Sequence, residues 1–254
     1  MSDVIYGIHA VSEALKSRER NFDYVAVLRD RIDPRTQRII DDCRTSGVPV
    51  RFVMRAEIDR ATNTSNHQGV MAVTSRKKFS ELEQIVDNKR GQYSFIVVLD
   101  GVEDPHNLGA LLRSADGAGV DGVVIPERRA AGITGAVVKA SAGASEHLSV
   151  ARVVNIARTL EELKDRNIWT VGLDERGSQA YHEVDFNMDC ALVLGAEGKG
   201  LHDLVRKKCD MLVSIPMMGR VSSLNVSVAG GIVMYEVLRQ RQVASGDAQT
   251  RRRK

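Results

Sequence analysis

The chain has 254 residues, with 36 Lys or Arg against 33 Asp or Glu, a formal net charge of +3, and 43% hydrophobic residues. That apolar share fills a core and excludes a disordered chain, a collagen-like repeat and a small disulfide scaffold. The length allows one large domain or two modest ones, and the pattern along the chain favours two. The longest apolar runs, Phe95–Leu99 and Ile232–Tyr235, fall far short of the roughly 20 residues of a membrane-spanning helix. The opening Met1-Ser2-Asp3-Val4 carries an acid where a secretory leader has basic residues, so a cytoplasmic protein with no membrane partner is expected.

The first stretch alternates helix and strand. Ile8, Val11, Ala14 and Leu15 have helical spacing, Phe22–Leu28 is β-rich, and Asp33-Pro34 opens a second helix that ends near Gly47. Val48–Val53 reads as a strand, Arg55–Ala61 as a short helix and Gly69–Thr74 as a third strand. This predicts a small α/β domain over residues 1–75, followed by a charged linker, 76–92, with room for one short helix. The apolar runs Ser94–Leu99, Val120–Ile125, Leu148–Val153, Ile168–Leu173, Cys190–Leu194 and Met211–Ile215 then alternate with helical candidates at Leu108–Ala118, Ile156–Arg166 and Ser227–Arg241. Such alternation predicts a mostly parallel sheet covered on both faces over residues 93–242. Residues 243–254 form a tail ending Arg251-Arg252-Arg253-Lys254. This cluster and Arg76-Lys77-Lys78 suit either phosphate binding or a solvated surface.

Cys43, Cys190 and Cys209 form no Cys-x-x-Cys pair and read as reduced, buried fillers; the six histidines are scattered, so no metal is expected. Gly117–Gly122 matches Gly-x-Gly-x-x-Gly but closes a helix and precedes a strand, the reverse of a dinucleotide fingerprint. Lys199 is followed by Gly200 where a phosphate loop needs Ser or Thr, and no Gly-x-Ser-x-Gly elbow is present.

Three segments remain, each just after an expected strand, where α/β sheets gather ligands. In the first, Leu108, Leu111, Leu112 and Ala115 form a helical stripe that leaves Arg113 on the other side, with Asn107 placed as the N-cap. The second, Gly195-Ala196-Glu197-Gly198-Lys199-Gly200, lets backbone approach a ligand, with Glu197 as a hydrogen-bond acceptor or a solvated acid. The third runs from Ile215-Pro216-Met217 through Ser222-Ser223-Leu224-Asn225-Val226-Ser227 into a helix weakened by Ala229-Gly230-Gly231; Ser223 and Asn225 are also candidate caps.

In this order and at these separations, Asn-x-Gly-x-x-x-Arg at Asn107–Arg113, Gly-x-Glu-Gly-x-Gly at Gly195–Gly200, and Ile-Pro-Met followed by Ser-Ser-Leu-Asn-Val-Ser resemble the three motifs of the SpoU family of RNA ribose 2'-O-methyltransferases, in the SPOUT class. Ile5–Val11 and Asn66–Val70 also resemble the N-terminal domain of these enzymes. The resemblance implies a parallel α/β SPOUT domain closed by a trefoil knot, which no periodicity predicts. It further implies a preceding ribosomal-protein-like RNA-binding domain, and a homodimer in which each active site is completed across the interface. The implied cofactor is S-adenosyl-L-methionine and the implied reaction is methylation of a guanosine ribose in 23S ribosomal RNA, without a metal.

By position, Gly195, Ile215 and Leu224 would hold the cofactor through backbone groups, with Met217 nearby. Arg113 would contact the target phosphate or ribose, and Asn107, Glu197, Ser223 and Asn225 would position it. The resemblance casts Arg113 as the proton acceptor; a guanidinium resists deprotonation, which favours an electrostatic and positioning role, the competing view being that an adjacent phosphate routes the proton through it. With only 4% aromatic residues, RNA recognition by phosphate and shape contacts is expected over a stacking platform. The alternatives are methylation of transfer RNA, a non-enzymatic RNA-binding protein and, last, a nucleotide-dependent oxidoreductase.

Overall fold

The computed structural model describes residues 2–30, 32–128 and 130–246; Arg251–Lys254 lie outside the described residues. The chain divides into two compact units. The first comprises the residues up to 78 with 108–113 and 131–147; the second comprises 79–107, 114–130 and 148 onward.

In the first unit the chain forms β1 (Ser2–Tyr6), α1 (Ile8–Ser17), β2 (Phe22–Leu28), α2 (Pro34–Thr45), β3 (Val50–Val53), α3 (Arg55–Thr62) and β4 (Val70–Ser75). Strand β4 pairs antiparallel with β1 and β2, and β2 runs parallel to β3, in the order β1-β4-β2-β3. Helix α1 turns Ala10, Val11, Ala14 and Leu15 inward, as a single helical face must. Helix α2 starts where Asp33 accepts from Arg35 N and Thr36 N at 3.0 and 2.8 Å, with Pro34 in the first helical turn. Strand β1 was not expected: Val4-Ile5-Tyr6 runs straight into a helix, so its pairing with β4 rather than its own periodicity makes it a strand.

Beyond residue 80 come α4 (Leu82–Asp87), β5 (Phe95–Asp100), α5 (Pro105–Gly117), β6 (Gly122–Pro126), α6 (Gly135–Ala140), β7 (Ser149–Val153) and α7 (Ile156–Asp165). After these follow β8 (Trp169–Leu173), β9 (Gln179–Ala180), β10 (Cys190–Gly195), α8 (Asp203–Lys208), β11 (Met211–Ser214) and α9 (Val226–Ala244). The seven strands of the second unit are parallel, in the order β7-β6-β5-β10-β8-β11-β9. Every residue of β5 and β10 is buried, which is why both read as unbroken apolar runs. They pair in register from Cys190 opposite Phe95 to Gly195 opposite Asp100, so their carboxyl ends finish side by side. Leu160 and Leu163 of α7 pack with Ile96, Val98, Val124 and Val193. Within the charged stretch 76–92, α4 lays Ile85 into the same core. Elements α6, α8 and β9 escape the sequence pattern because each is too short to show a period.

The segment 131–147 is tied into the first unit by backbone contact and by charge. A Cβ on Gly135 would lie 2.1 Å from the Val4 carbonyl oxygen, so only glycine lets α6 sit this close to β1. Fully buried Arg20 donates from Nε and Nη2 to the two oxygens of Glu146 at 2.8 and 3.1 Å, and from Nη1 to Asp3 Oδ2 at 2.8 Å. Burial alone would lower the guanidinium pKa, but Glu146 and Asp3 more than offset it and raise it.

The glycine-rich run after α5 is a helix terminus. Gly119 adopts φ +76°, its N–H bonds to Asp116 O, and Val120 N bonds to Ala115 O, the paired bonds of a Schellman motif. Cys43 and Cys190 are buried and Cys209, expected to be buried, is half-exposed; all are free, with burial pushing their thiols up to about 11, 11 and 12. Cys209 caps the end of α8, which leaves it nearer the surface than the strand residue Cys190. Among the described residues no helix is long and apolar enough to cross a membrane.

Candidate active site

The carboxyl ends of β5, β10 and β11 carry the loops that hold the expected site residues of the second unit. After β5, Asp104 caps α5 by accepting from His106 N and Asn107 N at 3.1 and 3.3 Å, with Pro105 in the first turn. This corrects the expected N-cap: a carboxylate followed by proline, with φ preset for a helix, caps α5 three residues before Asn107. Asn107 is therefore inside the helix, 7% exposed, with its amide free for tertiary contacts.

That amide meets Glu197 and Asn225 in a closed network. Asn107 Nδ2 donates to Glu197 Oε2 at 2.8 Å, and Asn225 Nδ2 donates to Glu197 Oε1 at 3.0 Å and to Asn107 Oδ1 at 2.9 Å. Asn225 Oδ1 accepts from Ser227 N at 2.9 Å and Ser227 Oγ at 2.6 Å, so Asn225 is both the cap of α9 and a network member. A carboxylate only accepts, which fixes the orientation of both asparagine amides.

After β10 the chain folds back on itself. Ala196 N bonds to Gly200 O at 3.0 Å and Gly200 N to Ala196 O at 2.9 Å, with Gly198 and Gly200 at φ +73° and +67°. A Cβ on Gly195 would lie 2.1 Å from the Gly200 carbonyl carbon, so the loop closes only over glycine. It bounds a cavity of about 310 Å³, together with Leu173–Arg176 after β8 and Ile215, Met217, Ser223 and Leu224 after β11. Gly195, Ile215, Met217, Leu224, Ser223 and Glu197 thus share one cavity, and Asn225 joins it through Glu197. Arg113 is not among its lining residues. It lies on the exposed side of α5 opposite the buried Leu108, Leu111, Leu112 and Ala115, and makes no hydrogen bond or ion pair among the described residues.

The sequence did not single out Asp174. Its Oδ1 accepts from Arg176 N and Nε at 2.9 and 3.1 Å, while its Oδ2 is buried without a partner on the cavity lining. Its place just beyond the expected strand Ile168–Leu173 was the available signal. An unmet carboxylate oxygen beside apolar Leu173, Ile215, Met217 and Leu224 suits a ligand with N–H or O–H donors and apolar surface. S-adenosylmethionine, with its ammonium, ribose hydroxyls and adenine amine, fits that description. Among the described residues no group of three His, Cys, Asp or Glu is placed to hold a metal.

Residues 94–235 match the profile described as the SpoU rRNA Methylase family, and residues 4–80 match RNA 2'-O ribose methyltransferase substrate binding. The chain is 44% identical over 241 residues to YacO of Bacillus subtilis, named for the TrmH family and for both tRNA and rRNA methylation, covering 94% of this chain and 96% of YacO. It is 43% identical over 245 residues to the 23S rRNA (guanosine-2'-O-)-methyltransferase RlmB of Haemophilus influenzae, covering 95% of this chain and 99% of that protein. Its fold superposes with a TM-score of 0.80 and 25% identity on the SpoU methyltransferase AviRb of Streptomyces viridochromogenes in complex with AdoMet, covering 95% of this chain and 91% of that one.

Proposed function

Because the chain belongs to the SpoU rRNA Methylase family, we propose that it transfers a methyl group from S-adenosylmethionine to the ribose 2'-hydroxyl of a guanosine in 23S ribosomal RNA. The observation that carries this reading is the Asn107–Glu197–Asn225 network on the wall of the cavity that Gly195, Ile215, Met217 and Leu224 line. Likeness to RlmB over nearly the full length of both chains supports the ribosomal substrate; the name of YacO keeps transfer RNA as the second reading.

The cofactor, when bound, supplies a methyl group on a sulfonium, a good leaving group. What remains for the protein is to align the hydroxyl and ease the loss of its proton. Backbone at Gly195, Ile215 and Leu224 and the free Asp174 Oδ2 hold the cofactor in this reading. Glu197, fixed by two amide donors, orients the ribose, and Ser223 closes the loop over it. Arg113 acts on the developing alkoxide and the adjacent phosphate as a positioning cation.

In this reading the protein is a homodimer and a second copy supplies Arg113, an exposed cation with no hydrogen bond or ion pair among the described residues. The C-terminal helix is threaded through a trefoil knot in this reading. Arg241 on α9 donates to the carbonyls of Tyr93, Ser94, Phe186 and Met188 at 2.8–3.1 Å, which ties the last helix to segments entering two central strands. The working place is the cytoplasm, where ribosomal RNA is.

Mapping alkali-resistant, ribose-methylated linkages in ribosomal and transfer RNA from cells lacking the protein tests the reading. Loss of one guanosine mark in 23S rRNA is expected; loss of a tRNA mark selects the second reading. Failure to bind S-adenosylmethionine at all would leave a non-enzymatic RNA-binding protein.

A further inference from the structure

Beside the cofactor cavity lies a second cavity of about 360 Å³, between the loop after β5 and the loop after β10. The two share Ala196, Glu197, Lys199 and Val226 as a common wall, and Asn107 lines the second. Its floor is rigid. Asp100 Oδ2 accepts from His202 N at 2.8 Å and lies 3.0 Å from His202 Nδ1, and the imidazole rests against Gly101, where a Cβ would meet His202 Cε1 at 3.2 Å. Its lining includes two opposite charges, Glu103 and Lys199, both exposed and neither in a hydrogen bond or ion pair among the described residues. Neighbouring Asp104 is occupied as the cap of α5, so Glu103 is the acid left open to a ligand.

Resting on the methyltransferase reading, we infer that this second cavity takes the base of the target nucleoside and that Glu103 and Lys199 select guanine. A nucleoside whose 2'-hydroxyl faces a methyl donor in the first cavity must place its ribose at the shared wall, where Glu197 stands, and its base beyond it. Guanine alone presents two adjacent donors, N1–H and the N2 amine, beside two acceptors, O6 and N7. A free carboxylate takes the donors and an ammonium takes the acceptors. Adenine turns a bare N1 toward the carboxylate, and cytosine offers it a single amine.

The test uses the full-length protein and a 23S rRNA fragment carrying guanosine or inosine at the methylated position. Inosine keeps N1–H, O6 and N7 but lacks the N2 amine. The unaltered protein is expected to favour guanosine by about 10- to 100-fold in kcat/KM. Glu103→Ala should reduce that preference to within about threefold, with S-adenosylmethionine binding unchanged, and Glu103→Asp should restore part of it. Lys199→Ala should slow both substrates alike. A guanosine preference that survives Glu103→Ala, or its absence in the unaltered protein, overturns the base assignment while leaving the methyltransferase reading intact. Absence of methyl transfer to any RNA by the unaltered protein overturns both.

Discussion

Asn107 and Glu197, 90 residues apart in sequence, are joined by a 2.8 Å hydrogen bond because β5 and β10, the strands that precede them, are neighbours in the sheet. The other oxygen of the same carboxylate is held by Asn225. A negative charge with a donor on each oxygen is a fixed platform. Glu197→Gln keeps its shape but turns an amide N–H₂ toward one of the asparagine N–H₂ groups. We expect kcat to fall about 10- to 100-fold, the value of a charge-assisted hydrogen bond replaced by a clash of donors, with only a small change in cofactor Kd. Isothermal titration and single-turnover methylation separate the two; unaltered kcat would remove Glu197 from the ribose site.

Gly195→Ala should abolish cofactor binding without unfolding the protein. The added methyl has no room beside the Gly200 backbone, so the loop over the cavity must open. Calorimetry should show no S-adenosylmethionine binding, while circular dichroism is retained. Asp174→Ala is the milder companion, removing an acceptor and leaving the loop closed; a roughly 10-fold weaker Kd is expected.

Mixing two inactive variants tests whether Arg113 acts across a dimer. In an Arg113→Ala and Glu197→Gln mixture, half of randomly paired dimers are mixed, and each mixed dimer has one site with both residues intact if Arg113 comes from the partner. Methylation should recover to roughly a quarter of the unmixed, unaltered rate. If Arg113 serves its own chain, the mixture stays as inactive as its parts.

How far the sequence reaches is clear at these residues. The apolar runs of β5 and β10 and the stripe of α5 were legible because burial on two faces or one leaves a pattern of period. The cap of α5 was misplaced to Asn107 because Asp104-Pro105 competes for the start of the same helix. The network itself was hidden: periodicity says that strands exist but not that the fifth pairs with the tenth. Asp174 was missed because a lone acid after a strand looks like any turn residue, and only its orphaned Oδ2 distinguishes it.

The buried Arg20–Glu146 pair predicts a large stability effect. Glu146→Gln removes one of the two carboxylates on the buried guanidinium and leaves Asp3 to balance it, a loss of about 1–3 kcal/mol. Arg20→Met with Glu146→Leu should recover much of it. Urea unfolding of the two variants measures the difference.

Acid stability reports on Asp210. Burial would raise its pKa, but the Lys164 ammonium at 2.9 Å and the Thr170 N–H and hydroxyl at 2.9 and 2.7 Å more than offset it, holding the carboxyl below its ordinary value of 3.8. The unfolded chain therefore binds this proton first as pH falls. The stabilisation is full above about pH 4 and is lost as the pH drops through the lower folded value. Asp210→Asn should be less stable at pH 7 by about 1 kcal/mol, with the gap to the unaltered protein narrowing below pH 4.

The most direct measurement is methyl transfer from labelled S-adenosylmethionine to 23S ribosomal RNA by the purified protein, followed by alkaline hydrolysis. Label retained in one alkali-resistant dinucleotide that begins with guanosine, and lost with Glu197→Gln, is the predicted result. Label on a base, or none with the unaltered protein, would contradict it.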